Sequence, residues 1–257
     1  QSFVSEIGRT NVESEGNAMK ILHTADWHIG KFKSPMRDGV NLRTEDIKRC
    51  LDEVVMAAKE EQPDYTLVSG DIFDVGHLWS DRCCEEILTA DHYIRELRDA
   101  SKRVIVMRGT PNHDGSGQFN VLSEMFSGCP NVHVVTTPQV LQFPDVDIAV
   151  LPGFDAGFYR ARFPGMSKEE ENMAFTQELS NIVLGLRAQC REGKANILMA
   201  HYTVPGCNTE SGQEMGMAKF EPVLPPETLQ AAGFSLVALG HIHRPQAVPG
   251  VNDCYYS

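Results

Sequence analysis

Residues 65–74, YTLVSGDIFD, set a run of apolar side chains directly against a glycine and two aspartates. A short apolar run bounded in this way reads as a buried strand ending in a polar loop. In front of it, Thr44 to Glu61 carries Ile47, Leu51, Val54, Val55 and Ala58 at the spacing of one helix face, and Pro63 closes that helix. Further back, KILHT (20–24) is another buried strand that runs into ADWHIG (25–30). Downstream, Ser80 to Ala100 is helical through Ile87, Leu88, Ile94 and Leu97, and RVIVM (103–107) is the next strand. This alternation implies an α/β fold, with a mostly parallel sheet covered by helices on its faces.

Beyond Asn131 the pattern changes. VHVVT (132–136), VLQF (140–143) and VDIAVL (146–151) are closely spaced strands, with Pro144-Asp145 as a hairpin turn. A long helix is expected between about Lys168 and Arg191, followed by the buried strands NILMA (196–200) and SLVAL (235–239). Residues 1–18 are polar and without periodicity, and are expected to be a disordered or artificially added leader; residues 19–257 form the folded domain.

The 42% hydrophobic and 23% charged content is that of an ordinary globular protein, and 257 residues suffice for a deep core. No apolar run is long enough to span a bilayer and no signal-peptide pattern stands at the start, so no membrane association and a cytoplasmic location are expected. The seven cysteines are odd in number and show neither a CxxC pair nor zinc-ribbon spacing, which implies free thiols in a reducing compartment. A net charge of -12 argues against a generally sticky nucleic-acid binder. Carboxylates gathered to hold cations, however, count as acidic in that sum and are not acidic once metallated.

Open α/β sheets bind ligands at the carboxyl ends of their strands. The residues that follow the strands here are Asp26 and His28, Asp71, Asn112 and His113, His201, and His241 and His243. Singly, each has a plain explanation. Asp26 or Asp71 is a capping aspartate, His28 a surface histidine, Asn112 and Asp114 turn residues, and His201 a structural histidine. The HxH of GHIHRP (240–245) is more pointed, because neutral imidazole is the commonest transition-metal ligand. Together the plain explanations fail, since five separate segments would have to bring metal-competent groups to one sheet edge by accident. Carboxylates, an amide oxygen and imidazoles suit manganese, iron or zinc better than a thiolate-selecting site does.

The ordered series DWH, GDIFD, NHD, the strand-end His201 and GHIH resembles the calcineurin-like metallophosphoesterases, over roughly Lys20 to the end of the chain. Within them, ILHTADWHIGK (21–31) and SGDIFD (69–74) are similar to the nuclease subunit of SbcCD/Mre-type DNA double-strand-break repair complexes. The resemblance implies a four-layer α/β/β/α sandwich with mixed sheets. It also implies two divalent ions, manganese foremost, with iron, zinc or magnesium as other choices. Asp26, His28 and His243 would hold one ion, Asn112, His201 and His241 the other, and Asp71 would bridge both. His113 would not be a ligand; it would stabilise the pentacoordinate phosphate and protonate the departing oxygen. Asp114 would orient an imidazole from behind. One departure from the family pattern stands out. Gly directly precedes Asn-His-Asp in the family, whereas Thr110-Pro111 separate Gly109 from Asn112 here, a loop two residues longer.

The same resemblance implies exonucleolytic and endonucleolytic hydrolysis of DNA. The partners would be DNA, an SbcC/Rad-fifty-type ATPase and a second copy docked through the early helices. The family's small DNA-facing cap and ATPase-binding segment are expected to be absent from these residues. Lys31, Arg37 and Arg244 are candidate contacts to the DNA backbone, with Lys33, Arg43 and Arg108 close by in sequence. For any one of them, solvated surface charge is the plainer explanation. Trp27 and Phe73 adjoin ligands and read as packing residues. Two other functions compete: a phosphodiesterase or phosphatase acting on small nucleotides or other phosphoesters through the same site, and a non-catalytic scaffold. The presence of all seven implied ligands and of His113 weighs against the scaffold.

Overall fold

The computed structural model describes residues 8–14, 17–30, 34–75, 81–153, 165–209 and 222–257. The first half runs β1 (Gly8–Ser14), β2 (Asn17–Thr24), the short hairpin β3 (Met36–Arg37) and β4 (Val40–Asn41), α1 (Leu42–Glu61), β5 (Tyr65–Ser69), α2 (Asp81–Ala100), β6 (Arg103–Met107), α3 (Ser116–Phe126) and β7 (Val132–Val135). The second half runs β8 (Gln139–Gln142), β9 (Val146–Leu151), α4 (Lys168–Gln189), β10 (Ala195–His201), α5 (Pro226–Ala232), β11 (Leu236–Gly240), β12 (Gln246–Ala247) and β13 (Cys254–Tyr256).

Local sequence explains the helix ends. The Asn41 side chain accepts from the Arg43 and Thr44 N–H groups at the start of α1, and Ser167 with Glu170 forms a capping box at the start of α4. The expected hairpin at Pro144-Asp145 joins β8 to β9, which pair antiparallel, and the Phe143 N–H closes it onto the Val146 carbonyl.

The strands form two large sheets. One has the order β1-β2-β5-β6-β7 and the other β12-β13-β11-β10-β9-β8. The first is parallel except for β1, and the second is parallel at its centre with antiparallel β12 and β8 at the edges. Both are therefore mixed. Alternation of side chains along the strands sorts them between layers. Leu22, Val68, Val104 and Val106 pack with the apolar faces of α1, α2 and α3. Their sequence neighbours Ile21, Leu67, Ile105 and Met107 turn the other way and meet Ile148, Val150, Ile197 and Met199 of the second sheet. Ala149, Leu151, Leu198 and Ala200 then face α4 and α5. The result is the four-layer α/β/β/α sandwich.

One expectation is corrected. Residues 1–18 do not all lie outside the fold, because β1 pairs with β2 from Gly8 opposite His23 to Ser14 opposite Asn17, and Val12 is buried. The open edge of β2 offers unpaired N–H and C=O groups, so backbone bonding recruits a strand whose side chains carry no periodic signal. The six described cysteines are free thiols. Among the described residues, no helix is long and apolar enough to cross a membrane.

Candidate metal centre

The parallel strands β2, β5 and β6 of one sheet and β10 and β11 of the other bring their carboxyl ends to a common edge. The loops leaving β2 and β5 remain zipped together past the strands. The Asp26 N–H donates to the Gly70 carbonyl at 3.0 Å, that of His28 to Asp71 at 3.0 Å and that of Ile29 to Ile72 at 2.8 Å. These bonds hold backbone that would not otherwise persist. Asp26 (φ 55°), His28 (φ 46°), Asp71 (φ 51°) and His241 (φ 100°) are all left-handed. Such conformations cost about 1–3 kcal/mol each and cluster at functional sites. Gly109 permits the closest approach in the region, since a Cβ there would collide with Asp71 Oδ1 and the Asp71 amide.

Three groups of ligand atoms result, each with its members within 4.8 Å of one another: Asp26, His28 and His243; Asp71, His201 and His241; and His28, Asp74 and His113. The Asp26 carboxylate accepts from the His241 N–H through both oxygens, at 3.1 and 3.0 Å, and so ties the first group to the second. His201 Nδ1 lies 2.7 Å from the Ser69 carbonyl. A carbonyl only accepts, so Nδ1 carries a hydrogen and Nε2 faces Asp71 Oδ2, 3.1 Å away. His28 Nε2 and His243 Nε2 face each other at 2.9 Å, and His28 Nδ1 is buried without a partner. One ring N–H can bridge this gap as a hydrogen bond, and a cation can bridge it when both nitrogens present lone pairs. A spacing near 3 Å is also what two neighbouring nitrogen ligands adopt at about 2.0–2.1 Å from one ion. The donor set therefore fits divalent metal.

The electrostatics of the cluster carry the same mark. Burial lowers the His28 pKa to about 3 and raises that of Asp26. Burial opposes charge on His201 too, but Asp71 and Asp26 outweigh it and push its pKa up to about 10. Asp71 is held well below the ordinary carboxylate range, with His201 and His113 overcoming its burial. Asp114 is raised to about 8 by burial and by the neighbouring Asp71 charge, against two N–H donors. Charges of both signs thus depend on one another, the character of a preorganised polar site.

Six of the seven implied ligands converge. Asn112, an amide outside those groups of carboxylates and imidazoles, is exposed in the turn that follows Thr110, and the Thr110 N–H and hydroxyl meet Asp71. Asp114 does not orient an imidazole: its oxygens accept from the Phe73 N–H at 3.0 Å and the Gly109 N–H at 2.6 Å, binding two loops together. Backbone carbonyls orient the imidazoles, that of Ser69 for His201 and that of Asp74 for His113 Nδ1, the latter at 2.5 Å. His113 thereby turns Nε2 inward, 4.0 Å from Asp71 Oδ2. Arg37 and Arg244 are exposed, Arg108 is half-buried, and Lys31 and Lys33 lie outside the described residues. Trp27 and Phe73 are core residues, as expected.

Two participants escaped the sequence reading. Asp74 stands in the SGDIFD motif, and its spacing from Asp71 was the available signal; Thr110 had only the longer loop to mark it.

The two-sheet sandwich and its strand-edge histidines and aspartates belong to metal-dependent phosphoester hydrolases. The model of the calcineurin-like phosphoesterase family matches residues 19–245, and the chain is a member of that family. It is similar to proteins named as the SbcD component of the nuclease SbcCD in Staphylococcus epidermidis and Staphylococcus saprophyticus, at 27% identity over 232 residues and 29% over 235. Each match covers 90% of this chain, which spans 58% of the length of either relative. One solved structure superposes with a TM-score of 0.51 at 13% identity, over 81% of this chain and 84% of its own, a likeness of fold alone.

Proposed function

We propose that the chain is the catalytic domain of a two-metal phosphodiesterase that cleaves DNA, its staphylococcal relatives being named as a nuclease subunit. The observation that carries the reading is the pair of opposed donor sets, His28 against His243 and His201 against Asp71, with His113 Nε2 turned toward them. Asp26, His28 and His243 are assigned to one divalent ion and His201 and His241 to a second, with Asp71 between the two. Manganese is the favoured metal, with iron, zinc and magnesium as the other choices. Ions held there supply Lewis-acid polarisation of phosphate oxygens and lower the pKa of water.

The chain's own groups do the rest. The Asp74 carbonyl fixes the Nδ1–H tautomer of His113, so a proton gained at Nε2 faces the cluster and is available to the departing sugar oxygen. Asp71 and His201 are themselves buried, which limits the water that would screen the phosphate charge. Exposed Arg37 and Arg244 are assigned to the DNA backbone. In the whole protein, partnership with an SbcC-type ATPase, dimerisation and a cytoplasmic location belong to the same proposal.

The test is cleavage of linear and single-stranded DNA in Mn2+, beside cyclic nucleotides and a phosphomonoester. Nuclease activity removed by EDTA is expected. Hydrolysis of the small phosphoesters alone would shift the reading to a small-substrate phosphodiesterase, the alternative favoured by the net charge of -12.

A further inference from the structure

The loop from Gly109 to Asp114 departs from its family pattern at the point where it touches the metal centre. Asp71 Oδ1 accepts from the Thr110 N–H at 2.7 Å and from the Thr110 hydroxyl at 3.0 Å. A carboxylate oxygen has two lone-pair sites, and these two donors occupy both. Oδ2 is left to face His201 Nε2 at 3.1 Å and His113 Nε2 at 4.0 Å. The Thr110 carbonyl in turn accepts from the His113 N–H at 3.1 Å and the Asp114 N–H at 2.7 Å, with Pro111 and Asn112 at the apex between them. Proline pre-sets its backbone dihedral for the first corner of such a turn. The turn that presents His113 therefore begins on the residue that anchors Asp71.

We propose that Thr110, and not Asn112, is the residue through which this loop governs the Asp71 side of the centre. Thr110 is a positioning residue: it saturates Oδ1 so that Asp71 offers metal a single oxygen, Oδ2, and it couples that orientation to the placement of His113. The proposal rests on the metal-centre reading above and adds to it a residue that the family motif does not supply.

The experiment strips the full chain with EDTA and titrates it with Mn2+ by calorimetry. Thr110→Val, which keeps the N–H and the shape but loses the hydroxyl, is expected to weaken Mn2+ uptake by about 10- to 100-fold, the usual cost of losing a group that orients a ligand. Thr110→Ser restores affinity to within about threefold of wild type, and Asn112→Ala stays within about threefold as well. Melting in EDTA separates positioning from folding, because the valine variant should melt with wild type there. If it does not, Thr110→Ala repeats the titration without the branched side chain. A valine variant that binds like wild type, or an Asn112→Ala variant that alone loses affinity, overturns the assignment. Wild-type protein that takes up no Mn2+ would instead refute the metal centre itself.

Discussion

Asp71 and Asp147 are both buried aspartates, at 2% and 0% exposure, and stand at opposite ends of the sandwich. Asp147 opens β9, away from the site, and Arg191 surrounds it: the Arg191 N–H reaches Oδ2 at 2.6 Å, and the guanidinium reaches Oδ1 at 3.0 and 2.5 Å. Burial penalises its charge, but Arg191 prevails and holds the Asp147 pKa below the ordinary range. Asp71 is satisfied on one oxygen only, while Oδ2 looks at two imidazole nitrogens. Burial and charge are common to both. What separates the candidate ligand from the structural carboxylate here is coordination that the protein leaves incomplete.

Substitutions can break that contrast. Asp71→Ala should have the largest effect, bringing Mn2+-dependent hydrolysis to background and releasing metal from both groups, as read by steady-state assay and metal analysis. His113→Ala should keep the metal and lower turnover by roughly 10²- to 10⁴-fold; wild-type rates would remove His113 from the mechanism. Asp147→Asn should leave metal uptake unchanged and cost about 1–3 kcal/mol in denaturant unfolding, toward the low end because the Arg191 side chain is 40% exposed and keeps its water. The smallest effect is one of pH. The Asp147 pKa is lowered in the native state, so its contribution is complete above the ordinary carboxylate value of about 3.9 and fades as pH falls toward the native value. The wild-type advantage over Asp147→Asn should therefore shrink on acidification below about pH 4, and an advantage that grew instead would contradict the assignment.

Strands with long apolar runs were legible in the sequence: β5, β6, β9, β10 and β11 fall within a residue or so of their expected spans, because burial on both faces leaves little ambiguity. α3 was missed although Phe119, Leu122 and Phe126 all sit in the core, for its turn-like start at Gly115 hid a short helix behind the NHD motif. α5 has only seven residues, and β12 and β13 are shorter still, too little for a period to register. β1 depends on backbone pairing with β2, which side-chain patterning does not encode. At the site, the gathering of the carboxylates and imidazoles that leave regular strands was readable from position. The role of Asp114 was not readable, because it lies on the loop whose path depends on Pro111 and on hydrogen bonds to residues about forty positions away in sequence. Thr110, Asp74 and the orienting carbonyls of Ser69 and Asp74 had to be seen in space.

The gathered side chains come from both sheets: Asp26, His28 and Asp71 follow strands of one, while His201 ends a strand of the other and His241 and His243 follow its neighbour. A cation seated among them acts as a reversible rivet through the sandwich, whose grip is set by the surrounding solution. Each tenfold rise in free ion above its dissociation constant adds about 1.4 kcal/mol per site against separation of the halves. The melting temperature of this domain then becomes a gauge of the metal around it.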